Sequence, residues 1–247
     1  SVVDNLHLKN GELFPIPISL DISQNDADHL SNKDLINLNF NGETVGEMVP
    51  ESFFTFDKMS VLRKIFSVDD LLHPGVAHFL NQKEIFVGGP VIQTKQAQLN
   101  TSRYNISPKV TKLLFQNCGW KTIAAFHTRN VPHRAHEWLH RLSLDLCDGL
   151  LIHPLLGRLK AGDYKPQAIM AGYEALIDKF YPKDRVILAS LSTAGRYAGP
   201  REALFHALVR RNYGCTHIVI GRDHAGVGSY YGKYDSQQLC LEMEEKL

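Results

Sequence analysis

Hydrophobic and polar positions follow two different rules along this chain, and the rule changes near residue 105. Over residues 1–105 the apolar stretches are short, as in LFPIPISLDI, INLNF and EIFVGGPVIQT, and Asn, Asp, Gly and Pro separate them. That is the punctuation of strands and turns. VDDLLHPGVAHFL is the one stretch here that predicts a short helix, with Asn81 as its stop. No cluster of catalytic residue types stands out, so this half reads as a structural or docking domain. The polar stretch QLNTSRYNISPKV marks the boundary. Its Ser-Pro pair is a start signal for a helix over KVTKLLFQNCG.

From residue 106 to 247 apolar β-runs alternate with amphipathic helices. TIAAF, GLLIHP, RVILASL and THIVIG predict strands. PHRAHEWLHRLSLDL, YKPQAIMAGYEALIDKF and PREALFHALVRRNYG predict the helices between them. Short, continuously apolar strands joined by helices imply a parallel sheet covered on both faces, with right-handed crossovers. The fold class is therefore α/β: a Rossmann-like parallel-sheet domain (106–247) preceded by a β-rich domain (1–105).

Composition narrows the picture further. The 247 residues carry 27 Lys plus Arg against 26 Asp plus Glu, a net charge of +1. That balance offers no electrostatic reason for nucleic-acid or membrane binding. Cys118, Cys147, Cys215 and Cys240 form no CxxC pair and sit among apolar neighbours, as buried free thiols of a reducing cytosol would. No apolar run reaches the length of about 20 residues that a membrane span needs. The N-terminal sequence lacks a signal-peptide pattern. A cytoplasmic protein is expected, with an organellar one as the alternative.

In an open parallel sheet, ligands bind beyond the carboxyl ends of the strands. Those ends supply Arg129, His133, Arg134, His136, Arg158, Lys160, Arg196, Arg201, Arg222 and His224. Guanidinium forks, glycine-rich turns and helix N-termini suit a polyanionic nucleotide. Beside Thr128, Arg129 and Asn130, Pro132 is expected in the first turn of a helix. His133 and His136 would then share one face at its positive end and donate hydrogen bonds to phosphate oxygens. The segment GRDHAGVGSYYG brings Arg222, Asp223 and His224 to another strand end, where glycines let main-chain amides reach an anion. RRNYGCTH reads as a helix end with a cationic last turn and a Gly stop. A P-loop sequence and a GxGxxG after a strand are both missing, which removes the main support for P-loop and hydride-transfer readings. His136, Glu137 and His140 spell HEWLH, the HExxH zinc pattern. The pattern falls on the first crossover helix beside an anion-binding loop, and no third-ligand sequence follows. No dedicated metal site is expected.

Together, FHTRNVPHRAHE, HPLLGRLKAGDY, YAGPREALFHALVRRNYGCTH, GRDHAGVGSYY and NGELFPIPISLDIS resemble the ATP sulfurylase (sulfate adenylyltransferase) family in order and spacing. The resemblance covers nearly the whole chain. It implies a PUA-like β domain followed by a nucleotidyltransferase domain of the HxGH type, with Ala135 where that wider class has Gly. It implies catalysis by Thr128, Arg129 and Asn130. ATP binding would fall to His127, Thr128, Arg129, Asn130, His133, His136, Gly221, Arg222, Asp223 and His224, and sulfate binding to His127, Arg129 and Ala225. It implies ATP, sulfate, adenylyl sulfate and pyrophosphate as partners, Mg2+ carried with ATP, and a homo-oligomer. Two departures stand out. His127 replaces the family's usual Gln, and Gly195 removes a Met before Arg196 and Tyr197. The family continues on both sides of this stretch, so the chain is expected to be its central portion, with the β domain N-terminally incomplete. Two rivals stay open: a related nucleotidyltransferase with a phosphorylated organic acceptor, and a non-catalytic PUA-like RNA-binding protein.

Overall fold

The computed structural model describes residues 2–95, 102–157 and 162–247. The chain divides into two compact units, Ser1–Gln98 and Leu99–Leu247.

The first unit orders α1 (Val2–Asn5), β1 (Leu20–Ile22), α2 (Gln24–Leu30), β2 (Ile36–Phe40), β3 (Glu43–Met48), β4 (Ser52–Phe54), α3 (Lys58–Phe66), α4 (Pro74–Leu80), β5 (Ile85–Gly88) and β6 (Val91–Gln93). Two three-stranded antiparallel sheets form, β1-β5-β4 and β2-β3-β6. Ile22, Ala27, Ile36, Met48 and Val87 close a core between them. LFPIPISLDI contributes only three strand residues, because Pro15 and Pro17 cannot donate to a ladder. The helix expected over VDDLLHPGVAHFL is confined to Pro74–Leu80. His73 precedes a proline and is extended, with its Nδ1 accepting from the amides of Gly75 and Val76. Leu71 and Leu72 stay exposed ahead of it. Two helices escaped the hydrophobic pattern because their signals are polar. Ser23 and Asp26 form a capping box on α2, and Asp57 caps α3.

The second unit orders α5 (Pro108–Asn117), β7 (Ile123–Thr128), α6 (Arg134–Leu146), β8 (Gly149–Pro154), α7 (Pro166–Phe180), β9 (Val186–Leu188), α8 (Gly199–Asn212), β10 (His217–Val219) and α9 (Asp235–Glu242). All four strands pair in parallel, in the order β10-β7-β8-β9. Alternate strand residues load the two faces. Ala124, Phe126, Leu150 and Ile152 pack with Leu144, Ile169, Met170 and Tyr173. Ile123, Ala125, Leu151 and Ala189 pack with Phe115, Tyr213 and Cys215. Each such large apolar side chain contributes about 1.5–3 kcal/mol when buried.

The strand order positions the site. The chain steps from β7 through β8 to β9, then returns to the opposite side of β7 as β10. The direction therefore reverses between β7 and β10, which makes a topological switch point. Val219 lies level with Phe126, so the chain leaves both strands at the same height.

Two expectations need correction here. Pro132 is not in the first turn of a helix: α6 begins at Arg134, and His133 is its extended N-cap residue, with φ −144° and ψ 172°. Cys118 is exposed rather than buried. Helix α9 follows the glycine-rich loop.

Candidate active site at the β7/β10 switch point

Thr128 ends β7 with a buried side chain. Its Oγ1 accepts the amide of Asn130 at 3.1 Å and the hydroxyl of Tyr173 at 3.4 Å. The threonine thus pins the turn that presents Arg129 and leaves Asn130 exposed. The Arg129 guanidinium lies 4.6 Å from the ring centre of Tyr197. Tyr197 adopts a left-handed backbone, φ +62°, between Gly195 and Gly199. A small cavity lined by Arg129, Gly157, Asp163, Gly195 and Tyr197 opens here. Gly157 is needed beside it, since a Cβ at that position would lie 1.7 Å from the carbonyl oxygen of Thr193.

Behind Arg129 stands a histidine cluster. His127, on β7, stacks on His206 with ring centres 4.0 Å apart, and the ring of His224 lies 4.9 Å away. Glu202, His206 and Arg210 follow one another at four-residue spacing on α8 and are all buried. The Glu202 carboxylate accepts the amides of Arg196 at 2.8 Å and Ala198 at 3.1 Å, with His206 Nε2 at 3.4 Å. Burial pushes Glu202 upward, but these donors hold it below its ordinary value, so it is ionised. His206 then presents its proton to Glu202, and its Nδ1 accepts from His224 Nε2 at 3.2 Å. Burial holds His127, His206 and His224 below their ordinary values, with Arg210 and Arg129 adding to the effect.

These three rings are the group with metal-ligand spacing among the described residues, one ring nitrogen from each lying within 4.8 Å of the others. Their hydrogen-bond polarity works against a metal. His127 Nδ1 is engaged by Arg210 at 2.8 Å, the facing nitrogens of His206 and His224 engage each other, and both nearby arginines are cations. Three imidazoles also do not suit Mg2+, which wants hard oxygen donors.

The loop after β10 carries Gly221, Arg222, Asp223, His224 and Ala225. Asp223 and Ala225 are left-handed, at φ +50° and +60°. Three bonds hold the loop: Asp223 N to Lys233 O, Gly226 N to Asp223 O, and Gly199 N to Ala225 O. Helix α9 straps it further, as Ser236 Oγ donates to His224 O and Gln237 Nε2 to Ile220 O. The amides of His224 and Ala225 have no acceptor among the described residues. Two such N–H groups beside left-handed residues form an anion-binding concavity.

At the start of α6, the rings of His133 and His136 stack with centres 3.7 Å apart. His133 is exposed. His136 Nδ1 lies 3.1 Å from the Tyr173 hydroxyl. Burial, then the neighbouring His133, lowers His136 to about 4. His140 Nδ1 lies 2.8 Å from the Tyr181 hydroxyl, and its ring, like that of His136, packs edge-on against Phe126. The two histidines of HEWLH thus bond different tyrosine hydroxyls, with ring centres 6.4 Å apart.

The remaining strand-end cations separate. Arg158 and Lys160 lie outside the described residues. Arg134 and Arg222 are exposed, and the Arg196 guanidinium stacks 5.3 Å from the ring centre of Phe205. Arg210 corrects the reading of RRNYGCTH as a plain helix end. Arg211 donates to the carbonyls of Lys246 and Leu247, outside α8, while Arg210 points inward. Sequence reasoning also missed Glu202, His206, Tyr173 and Tyr197. The four-residue spacing of Glu202, His206 and Arg210 was a usable signal. A larger cavity of about 480 Å³, beside α8, β10 and α9, contains none of residues 127–136 or 221–225 and is mostly apolar.

Comparison with known proteins identifies the family. A family model described as ATP-sulfurylase matches residues 102–247, and one described as a PUA-like domain matches residues 1–96. The chain belongs to the ATP-sulfurylase family. Among its relatives, the sulfate adenylyltransferase of Ignicoccus hospitalis is 44% identical over 239 residues, 97% of this chain and 63% of that protein. Those of Hyperthermus butylicus and a Synechococcus species are 42% and 44% identical, covering 99% and 98% of this chain. The chain spans about 62% of the length of these ATP-sulfurylase relatives. A solved structure, the hexameric APS kinase from Thiobacillus denitrificans, shares the fold with a TM-score of 0.70 at 19% identity, over 99% of this chain and 43% of that one. Among the described residues, no helix is long and apolar enough to cross a membrane.

Proposed function

We propose that this chain carries the active centre of a sulfate adenylyltransferase. A sulfate oxygen attacks the α-phosphorus of ATP, the new S–O–P bond forms, and the bond from the α-phosphorus to the bridging oxygen breaks. Pyrophosphate leaves with that electron pair, and adenylyl sulfate is the other product; the reverse reaction uses the same site. The attacking oxygen carries no proton, so no general base is required. Catalysis then rests on positioning and charge neutralisation.

The observation that carries the reading is the meeting, at one switch point, of an arginine loop and a strapped loop with free amides. Arg129, His127 and the Ala225 amide are assigned to sulfate. His133 and His136 are assigned to the departing pyrophosphate, and Gly221 to His224 to the nucleotide. Thr128 and Asn130 shape the turn between the two substrates. Mg2+ would ride on the triphosphate and neutralise part of its charge, because the site offers no cage of oxygen ligands among the described residues. Assembly as a homo-oligomer belongs to the same reading.

The test is release of pyrophosphate from ATP by the full-length protein, with and without sulfate or molybdate. Sulfate-dependent release supports the proposal. Release that needs a phosphorylated organic acceptor instead would transfer the site to another nucleotidyltransferase reaction. A salt-dependent RNA shift without turnover would favour the RNA-binding alternative.

A further inference from the structure

Arg210 is among the largest fully buried side chains of the described residues. Taking a guanidinium out of water is costly unless its hydrogen bonds are well used. Burial lowers it to about 10, so it remains a cation at neutral pH. Its partners are few and specific. Nη1 donates to the His206 carbonyl at 3.4 Å, and Nη2 donates to the His153 carbonyl at 3.1 Å and to His127 Nδ1 at 2.8 Å.

The last contact has a chemical consequence. A guanidinium has five donors and no acceptor. The nitrogen facing it must therefore offer a lone pair, and His127 Nδ1 cannot carry a proton. Burial, then the neighbouring His206, Arg210, His224 and Arg129, holds His127 well below its ordinary value, so the ring is neutral. A neutral imidazole has one N–H, and with Nδ1 excluded that proton sits on Nε2. The ring cannot turn freely, because it is stacked on His206 and flanked by His224. Nε2 has no partner among the described residues, and the residue is half-buried at the end of β7, two positions before Arg129.

We propose that Arg210 is a positioning residue that locks His127 in the Nε2–H tautomer, making it an obligatory hydrogen-bond donor to an anionic substrate oxygen. The substrate half of this inference rests on the proposed adenylyl transfer; the tautomer lock does not. The arrangement also explains why a cation is buried under a histidine cluster. Without Arg210 the imidazole could present its lone pair to the anion and repel it. A transition metal on His127, His206 and His224 is the competing use of the same rings. It would require His127 Nε2 to lose its proton while Nδ1 still accepts from Arg210.

The test combines spectroscopy and kinetics on the full-length protein. Nitrogen-15 NMR of histidine-labelled wild type is expected to show His127 neutral and protonated at Nε2 alone. Protonation at Nδ1, or shifts of both ring nitrogens on adding Zn2+, would overturn the lock. Arg210→Met is expected to give mixed tautomers and to raise the KM for sulfate about tenfold, the loss of roughly one hydrogen bond to a charged group. The KM for ATP should change far less. Arg210→Lys, which keeps a donor, should recover part of the loss. In a His127→Gln background the amide has a fixed acceptor oxygen and a fixed donor nitrogen. There Arg210→Met should add little further loss; an equal loss in both backgrounds would make Arg210 merely structural. Should Arg210→Met not fold, the wild-type tautomer and the Lys variant still decide the matter. A wild type with the Nε2–H tautomer but no sulfate-dependent turnover would sink the functional reading and the substrate half, and leave the lock standing.

Discussion

Glu202→Gln perturbs the buried centre of the α8 face while changing almost no volume. The wild-type carboxylate accepts two backbone amides and faces His206 Nε2. Glutamine keeps one oxygen. If it occupies the Oε1 position, the bonds to Arg196 and His206 survive and the NH2 group meets the N–H of Ala198. A buried donor left facing a donor costs about 1–3 kcal/mol, and two surviving bonds lose their charge assistance at about 0.5–1 kcal/mol each. Against this, the variant no longer buries a carboxylate, which returns roughly 1 kcal/mol or more. The net expectation is a loss of about 2 kcal/mol. For a chain of this size that lowers Tm by about 4–8 °C. The same turn holds Tyr197 in its left-handed conformation beneath Arg129, so sulfate-dependent turnover should fall along with stability. The assay is thermal unfolding at pH 7 followed by circular dichroism, with turnover measured well below Tm. A glutamine variant that unfolds within about 1 °C of wild type would show that Glu202 is not the ionised anchor of this network.

Further outcomes follow from the same geometry. Arg129→Ala and Arg129→Lys should each cut turnover roughly a hundredfold, because an ammonium cannot reproduce a fork; near-normal turnover of the Lys variant would end its assignment to sulfate. Folded His136→Leu should lose about 2–4 kcal/mol of transition-state stabilisation while His136→Asn keeps part of it, read from kcat and KM for ATP. Losses that merely track thermal stability would make the pair structural. Metal analysis of purified protein should find no stoichiometric zinc at His136 and His140 or at the His127 cluster. On acidification, the unfolded chain takes up protons from about pH 6.5, whereas folded His136 and His140 stay neutral to about 4 and about 3. Stability is therefore full above that unfolded value and declines as pH falls toward the folded values. His140→Leu should make the fall in urea midpoint between pH 6.5 and 4 shallower; an unchanged slope would contradict the burial of a neutral His140.

What the sequence alone determined is the local grammar and the residue types at the strand ends. Short apolar runs such as GLLIHP, alternating with amphipathic helices, read as strands covered on both sides, and all six of those residues are buried. The motifs following β7 and β10 were legible because arginine, histidine and glycine at a strand end have few other uses. Helix starts set by polar caps, as at Ser23 and Asp57, were less visible, since a cap is one side chain and not a periodic pattern. The placement of Pro132 and His133 failed for a related reason: a proline-containing segment fits a loop as well as a first helical turn. Only the tertiary structure decided the strand order, because parallel pairing depends on which neighbour a strand meets and not on its own composition. That order puts β10 beside β7 and so brings His224 to His127. It also decided the polarity of the buried network. Arg210 looked like a solvated helix end, and only its contact with His127 Nδ1, 83 residues away in the chain, turns it inward and assigns a proton to the other nitrogen.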